Sequence, residues 1–325
     1  MIQQTVLPFK LEITRDTITS HAGLALLGEF CMALKLPELV DRYLPKPGSG
    51  AGYQPSEYIF PLVLMGHLAE NGLLVGDEFR EGNEAPAARN LKFLKHCVAQ
   101  MPKGKHICSF RADSAAYQAD IINYCNRNGS QFAIGADLDE AVVRAIKAIS
   151  ESPWSVDREG HIAETVHCMN RSEESFRINV LRRPYQRALF DDDKEAVRYT
   201  AIASNREGSP AEVLSWYNQR GEAGENRIKD LKIGFGMERM PCGQTAANAV
   251  FFRIGTMAYN IYRLFLLKAL DVGWHKYQVQ TIRWRLYQSA GKIVAHANRL
   301  HLKVRRSLYR LFAKIRLRIW EFANT

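Results

Sequence analysis

Long hydrophobic runs are missing from this 325-residue sequence. No stretch approaches the roughly 20 consecutive apolar residues that a membrane-spanning helix needs. The first residues, MIQQTVLPFKLEITRD, lack the charged-then-apolar pattern of a secretory signal. Cysteine is sparse: Cys31, Cys97, Cys108, Cys125, Cys168 and Cys242 are scattered, and no two make a C-x-x-C. That spacing argues against a structural zinc and fits a reducing cytoplasm. His167-Cys168 is the nearest approach to a ligand pair, and no partner pair stands at zinc-motif spacing. Internal repeats and low-complexity tracts are absent too. Acid is nearly missing from one region. Between Lys276 and Thr325 there are twelve basic residues and one acid, Glu321, so this segment accounts for the whole net charge of +10. So one-sided a tail suggests a polyanionic partner, nucleic acid being the commonest. A solvated helix face is the simpler alternative.

What is present is an ordinary globular composition, 46% hydrophobic and 24% charged. After a short extended start, residues 1–65 read as helical, with apolar positions at Leu24, Leu27, Phe30, Cys31 and Leu34. KPGSGAGYQPS is a loop, and SEYIFPLVLM starts a further helix with Ser56 as its cap. At Met65-Gly66 the pattern changes abruptly. GHLAENGLLVGDEFREGN predicts a hairpin turning at Asn71-Gly72. Strands at KHICSFRAD and SQFAIGAD then alternate with helices at APAARNLKFLKHCVAQM, SAAYQADIINYCNRNG and LDEAVVRAIKAI, which predicts an α/β sheet. GHIAETVHCM, FRINVLRRP and VRYTAIASN read as strands of an antiparallel insertion or sheet extension over about 152–205, with Asp191, Asp192 and Asp193 in a loop. Beyond Ser209 the chain is mostly helical, and AANAVFFRIGTMAYNIYRLFLLKAL is apolar enough all round to be a buried helix.

Two acids stand out. Asp113 ends a strand and precedes Ser114, Ala115 and Ala116, which open a helix. Ligands gather at the carboxyl ends of strands in α/β sheets, but Asp is equally a good helix N-cap. Glu225 lies in SWYNQRGEAGENRIKDLK, read as one helix. At 100° per residue it shares a face with Lys229 and Lys232, near Tyr217. Glu225 and Lys229 are also an ordinary i,i+4 pair on a solvated face, although Gly224 is a poor choice for such a helix. Two acids brought together would repel unless a cation lay between them. Mg²⁺ prefers carboxylate and phosphate oxygens, and two ions can clamp the attacking and leaving oxygens of a phosphodiester.

YNQRGEAGENRIKDLK resembles the Tyr…Arg…Glu…Lys signature of bacterial insertion-sequence transposases with a DDE site, most closely the group called insertion-sequence type 1380. PGSGAGYQPSE, GHLAENGLLVGDEFREGN, FLKHCVAQMPKGK, RADSAAYQA, FAIGADLD, IAETVHCMN, RYTAIASN, IGFGMERMPCGQ and ANAVFFRIG carry the resemblance across nearly the whole chain. It implies a ribonuclease-H-like core at 66–240 between an N-terminal helical region, 1–65, and a basic helical region, 241–325. It implies Mg²⁺-dependent cleavage of DNA at element ends and strand transfer to target DNA, by a homo-oligomer in a synaptic complex. Asp113 matches the second catalytic and metal-binding acid, and Glu225 the third. Tyr217, Arg220 and Lys232 match residues that grip DNA; Lys229 on the same face, and Arg305 and Arg306 in the tail, are further candidates for DNA contact.

The sequence departs from that pattern twice. Arg220 to Glu225 is one residue longer than the general signature, which predicts a π-bulge eased by Gly224. More seriously, FPLVLM runs straight into GHLAENG. The family's first strand and first catalytic Asp belong at this joint, so an internal deletion at Met65-Gly66 is expected, with loss of a central strand. Asp77 and Glu78 are the nearest substitutes. The chain then reads as a transposase by descent without activity, or as a DNA-binding remnant that restrains intact copies. A membrane-surface role is suggested only by RRSLYRLFAKIRLRIWEF, whose basic and apolar residues suit an interfacial helix.

Overall fold

A computed structural model describes residues 6–7, 9–14, 22–36, 62–80, 84–184, 197–220, 226–296 and 299–325. The chain divides into two compact units, one built from residues 60–66 and 75–227, the other from 1–59, 67–74 and 228–325.

The first unit is organised by a six-stranded sheet. Its strands are β4 (Ser109–Ala112), β5 (Gln131–Gly135), β6 (Ser155–Asp157), β7 (Gly160–His167), β8 (Phe176–Pro184) and β9 (Val197–Ser204), in the order β4-β5-β9-β8-β7-β6. β4 and β5 are parallel, and every other pair is antiparallel. The expected antiparallel segment therefore extends the α/β sheet rather than forming a separate layer. Side chains alternate across a strand, and here the alternation divides two cores. Phe132, Ile134, Ile178, Val180, Ala201 and Ala203 pack under α3 (Ala119–Arg127) and α4 (Glu140–Lys147). Ala133, Ile162, Leu181 and Ile202 face the other way and are covered by Leu214, Trp216 and Tyr217 of α5 (Pro210–Arg220).

α5 starts with a capping box. Ser209 N–H donates to Glu212 Oε2 at 2.7 Å, and Glu212 N–H returns to Ser209 Oγ at 3.4 Å, with Pro210 at the first helical position. This fixes where the helix begins, and hence which residues reach the sheet.

β2 (Leu62–His67) and β3 (Leu74–Arg80) form a hairpin as a separate two-stranded sheet. Its turn falls at Asn71-Gly72 as expected, with Asn71 Oδ1 accepting from Leu73 N–H. The helix expected to run through Leu62–Met65 is instead strand, and it passes without a break through Met65-Gly66. The arms lie on α2 (Asn90–Ala99): a Cβ at Gly66 would stand 2.6 Å from Cys97 Sγ, so the close approach depends on glycine. Among the described residues β4 is paired on one side only, by β5.

The second unit gathers the two ends of the chain. β1 (Phe9–Ile13) pairs in parallel with β11 (Arg299–Val304), which pairs antiparallel with β10 (Gly291–His296). These last two strands stand where the sequence suggests helix. α1 (Leu24–Ala33), α6 (Thr245–Ala269) and α7 (Arg306–Ala323) complete a core around Leu26, Phe30, Phe265, Leu266, Phe312 and Ile315. α6 is not buried all round as expected. Phe252, Tyr259, Tyr262 and Phe265 are inside, while Val250 and Ile254 are exposed. In this core Arg316 and Glu29 form a buried ion pair at 2.9 Å. Glu29 Oε1 also accepts the backbone N–H groups of Val6 and Leu7, and the Arg316 guanidinium stacks 3.9 Å from the Phe9 ring.

Candidate active site

β4 ends at Ala112, and Asp113 continues in extended conformation before a single 3₁₀ turn, Ser114–Ala116. Asp113 thus occupies a cap position, yet its side chain makes no capping hydrogen bond. Asp139 behaves differently: its carboxylate caps α4 through Val142 N–H at 2.8 Å. The exposed Asp113 carboxylate instead lines a cleft of about 920 Å³ whose other walls include Ser114, Gly135, Arg183, Arg198, Thr200, Ile202 and Tyr217.

Tyr217 reaches this place from α5. A Cβ built on Gly135 would lie 2.9 Å from Tyr217 Oη and 3.2 Å from Ser114 N. The absence of a side chain on β5 therefore lets the phenol and the Asp113–Ser114 backbone close over the strand. Arg220, three residues on, lies over the Tyr217 ring with its guanidinium carbon 5.3 Å from the centroid. Burial pushes the Tyr217 hydroxyl above its ordinary pKa. The charge and hydrogen bond of Arg220 pull it back, and the Asp113 carboxylate adds to the rise. The structure thus brings Tyr217 to the Asp113–Ser114 backbone across Gly135, with Arg220 over the Tyr217 ring.

The remaining expected residues are placed elsewhere or not at all. Glu225 and Gly224, and with them the anticipated bulge after Arg220, lie outside the described residues, as do Asp191, Asp192 and Asp193. Lys229 ends a short helical turn, Asn226–Lys229, and Lys232 lies in a π-turn, Asp230–Gly234. Arg305 is the cap residue and Arg306 the first residue of α7, and both are exposed. Asp77 and Glu78 do not line the cleft. Glu78 is held by Arg80 at 3.1 Å and Arg89 at 3.3 Å. Asp77 acts on Cys97, whose thiol is pushed up to about 11 by burial and by that carboxylate.

The donor chemistry of the cleft suits a hard cation in part. One or two carboxylates with phosphate oxygens suffice for one Mg²⁺, and Asp113 offers such a group. Among the described residues, no group of three His, Cys, Asp or Glu side chains gathers as a metal site. The residues that sequence reasoning missed are Arg183 and Arg198. Their positions in the cleft follow from a cross-strand register that no local pattern announces.

A strand-end acid in a cleft between sheet and helix fits many chemistries. A family model, transposase DDE domain group 1, matches residues 49–319. This chain belongs to the DDE transposase family. No curated protein matches it. For the transposase, the mixed α/β sheet agrees with such a domain; the family's domain implies DNA as a partner, and the family generally uses a divalent metal. No helix among the described residues is long and apolar enough to cross a membrane.

Proposed function

We propose that this chain is an insertion-sequence transposase of the type 1380 group that grips the DNA ends of its element but has lost the power to cut them. The observation that carries this reading is the pairing of β4. The strand that presents Asp113 has an unpaired edge among the described residues, while β2 and β3 stand apart as a two-stranded sheet. In a ribonuclease-H-like core, a first strand bearing the first catalytic Asp would lie on that edge. An in-frame deletion at Met65-Gly66 removes it.

Asp113 and Glu225 would hold Mg²⁺. When bound, Mg²⁺ would activate water and then the 3′-hydroxyl for attack on phosphorus. The chain's own residues do the rest. The backbone turn after Asp113 is anchored by Ala116 N–H on the Asp113 carbonyl at 3.1 Å, which leaves its carboxylate free to face the cleft. Tyr217 and Arg220 present a phenol and a guanidinium beside it for a phosphate near the cleavage point. Lys229 and Lys232 would be further phosphate contacts on the face that the sequence pattern assigns them. Arg305 and Arg306 sit at the N-terminus of α7, where the helix dipole disfavours cations and favours an anion. A DNA phosphate there would relieve the conflict. Not all of the basic tail is available: Arg316 is buried against Glu29, and Lys314 and Arg318 are engaged by Asp271. With two acids left for a site that needs three, binding survives and cleavage does not. Two copies on paired ends would form a non-productive complex and compete with intact transposase.

The test is incubation of the purified protein with labelled element ends and Mg²⁺. Retarded DNA without nicks is expected. Nicking that Glu225→Gln abolishes would show an active enzyme and overturn the proposed loss. Affinity that does not change with salt would remove the basic residues from the reading, because each phosphate contact steepens the salt dependence.

A further inference from the structure

β8 and β9 place Arg183 directly opposite Arg198. Side chains so paired have Cβ atoms about 5 Å apart, and like charges in this relation destabilise a sheet. The basic residues nearby are engaged in other ways. On the opposite face, Arg182 is held by both Glu151 oxygens, at 2.8 and 2.9 Å, and stacks 4.2 Å from Trp154. Arg177 is held by Glu164 and by the carbonyls of Arg206 and Gly208. Arg198 is exposed, and no ion pair engages it among the described residues. Arg183 pairs with Glu159, which is itself half in solvent. Among the described residues, one exposed carboxylate thus stands against two guanidinium groups, and exposed pairs of this kind contribute little.

The two arginines also lie on the Asp113 face. Gly135, beside Asp113, pairs with Ile202, and Thr200 and Arg198 follow on the same side of β9. Four residues along a strand is about 13 Å, so the cleft runs from a carboxylate at one end, past Thr200, to two guanidiniums at the other. A free anion would be repelled by the Asp113 end. An extended polyanion can place one phosphate at each end, with the acid screened by its metal.

We propose that the cross-strand pair Arg183–Arg198 is a second binding point for a DNA backbone phosphate, on the far wall of the cleft that holds Asp113. This rests on the reading above that the chain binds DNA. Glu159 tempers the site, since it occupies one arginine until phosphate displaces it.

The experiment measures binding of a short fluorescent duplex of mixed sequence to the full chain, over a salt series, for wild type, Arg183→Ala, Arg198→Ala and Glu159→Gln. Each arginine variant should reduce the magnitude of the salt slope, by up to about 0.9 where the single phosphate contact is lost, which shrinks the affinity lost between about 50 and 200 mM salt by up to about 3.5-fold. Glu159→Gln should bind more tightly than wild type, a change that loss of fold would not produce. Arg198 is exposed, so its variant stays informative if Arg183→Ala unfolds. Wild-type binding with unchanged slopes in Arg198→Ala and Arg183→Ala overturns this inference and leaves the proposed function standing. A wild type that binds no duplex overturns both.

Discussion

At the residue scale, the cleft is a set of opposed electrostatic effects on one phenol. Arg220 lowers the Tyr217 pKa and Asp113 raises it, against a larger rise from burial. Arg220→Ala should therefore move the phenol further up, and Asp113→Asn should move it down. Ultraviolet difference titration, with Tyr217→Phe as the blank, reads both shifts; movement in the same direction would separate the three residues. Gly135→Ala should destabilise the protein by about 1–3 kcal/mol, because the added methyl meets Tyr217 Oη and Ser114 N in a packed place. An unchanged urea midpoint would show that Tyr217 does not close over β5. Asp113 was legible in sequence because a polar residue ending an apolar strand needs no partner to be seen. Arg183 and Arg198 were not, because fifteen residues separate them and only the ladder makes them neighbours.

At the element scale, α5 owes its position to the Ser209–Glu212 box. Ser209→Ala should lower stability by about 1 kcal/mol, the usual worth of an N-cap side chain, as measured by chemical denaturation. The box also has a pH signature. Glu212 is held below its ordinary value of 4.5 by the Ser209 backbone N–H and hydroxyl. A depressed carboxyl stabilises the fold above its unfolded pKa, and that support is lost as pH falls through the folded value. Wild type and Glu212→Ala should differ in melting temperature at neutral pH and converge in acid; a gap that persists below pH 3 or so would assign the effect to packing. Most strands and helices between Ser109 and Ser204 follow their local patterns, since each has its own period and its own turn residues; the helix expected from Ser114 instead begins at Ala119, after a 3₁₀ turn. Leu62–Met65 also departed from expectation, because a short apolar run has no period that separates strand from helix. β10 and β11 were missed for another reason. β11 is completed by β1, almost the whole chain length away.

At the scale of the molecule, both ends of the chain are fixed in one unit by the buried pair of Glu29 and Arg316. Removing one partner leaves an uncompensated buried charge, which costs about 3–5 kcal/mol. Glu29→Ala should show a loss of that size in a denaturant melt; a loss within 0.5 kcal/mol or so, the scale of a surface change, would mean that the arginine finds water. The other unit is the one from which a strand has gone on the proposed reading. On that reading β4 has lost a strand neighbour and the ladder hydrogen bonds that went with it, so the protein should melt below a full-length relative that retains the first strand. Equal melting temperatures would argue that no strand is missing.

The sequence by itself determined the α/β class, the hairpin, the strand-end Asp113, the one-sided basic tail and the transposase resemblance, all of which rest on local period, local composition or contiguous motifs. Only the tertiary structure decided that Asp113 makes no capping hydrogen bond, that Tyr217 closes on it over Gly135 with Arg220 against the Tyr217 ring, that two arginines oppose each other on the same cleft, and that Arg316 belongs to the core rather than to a ligand. Each of these depends on strand register or on burial, and both are set by contacts between residues far apart in the chain.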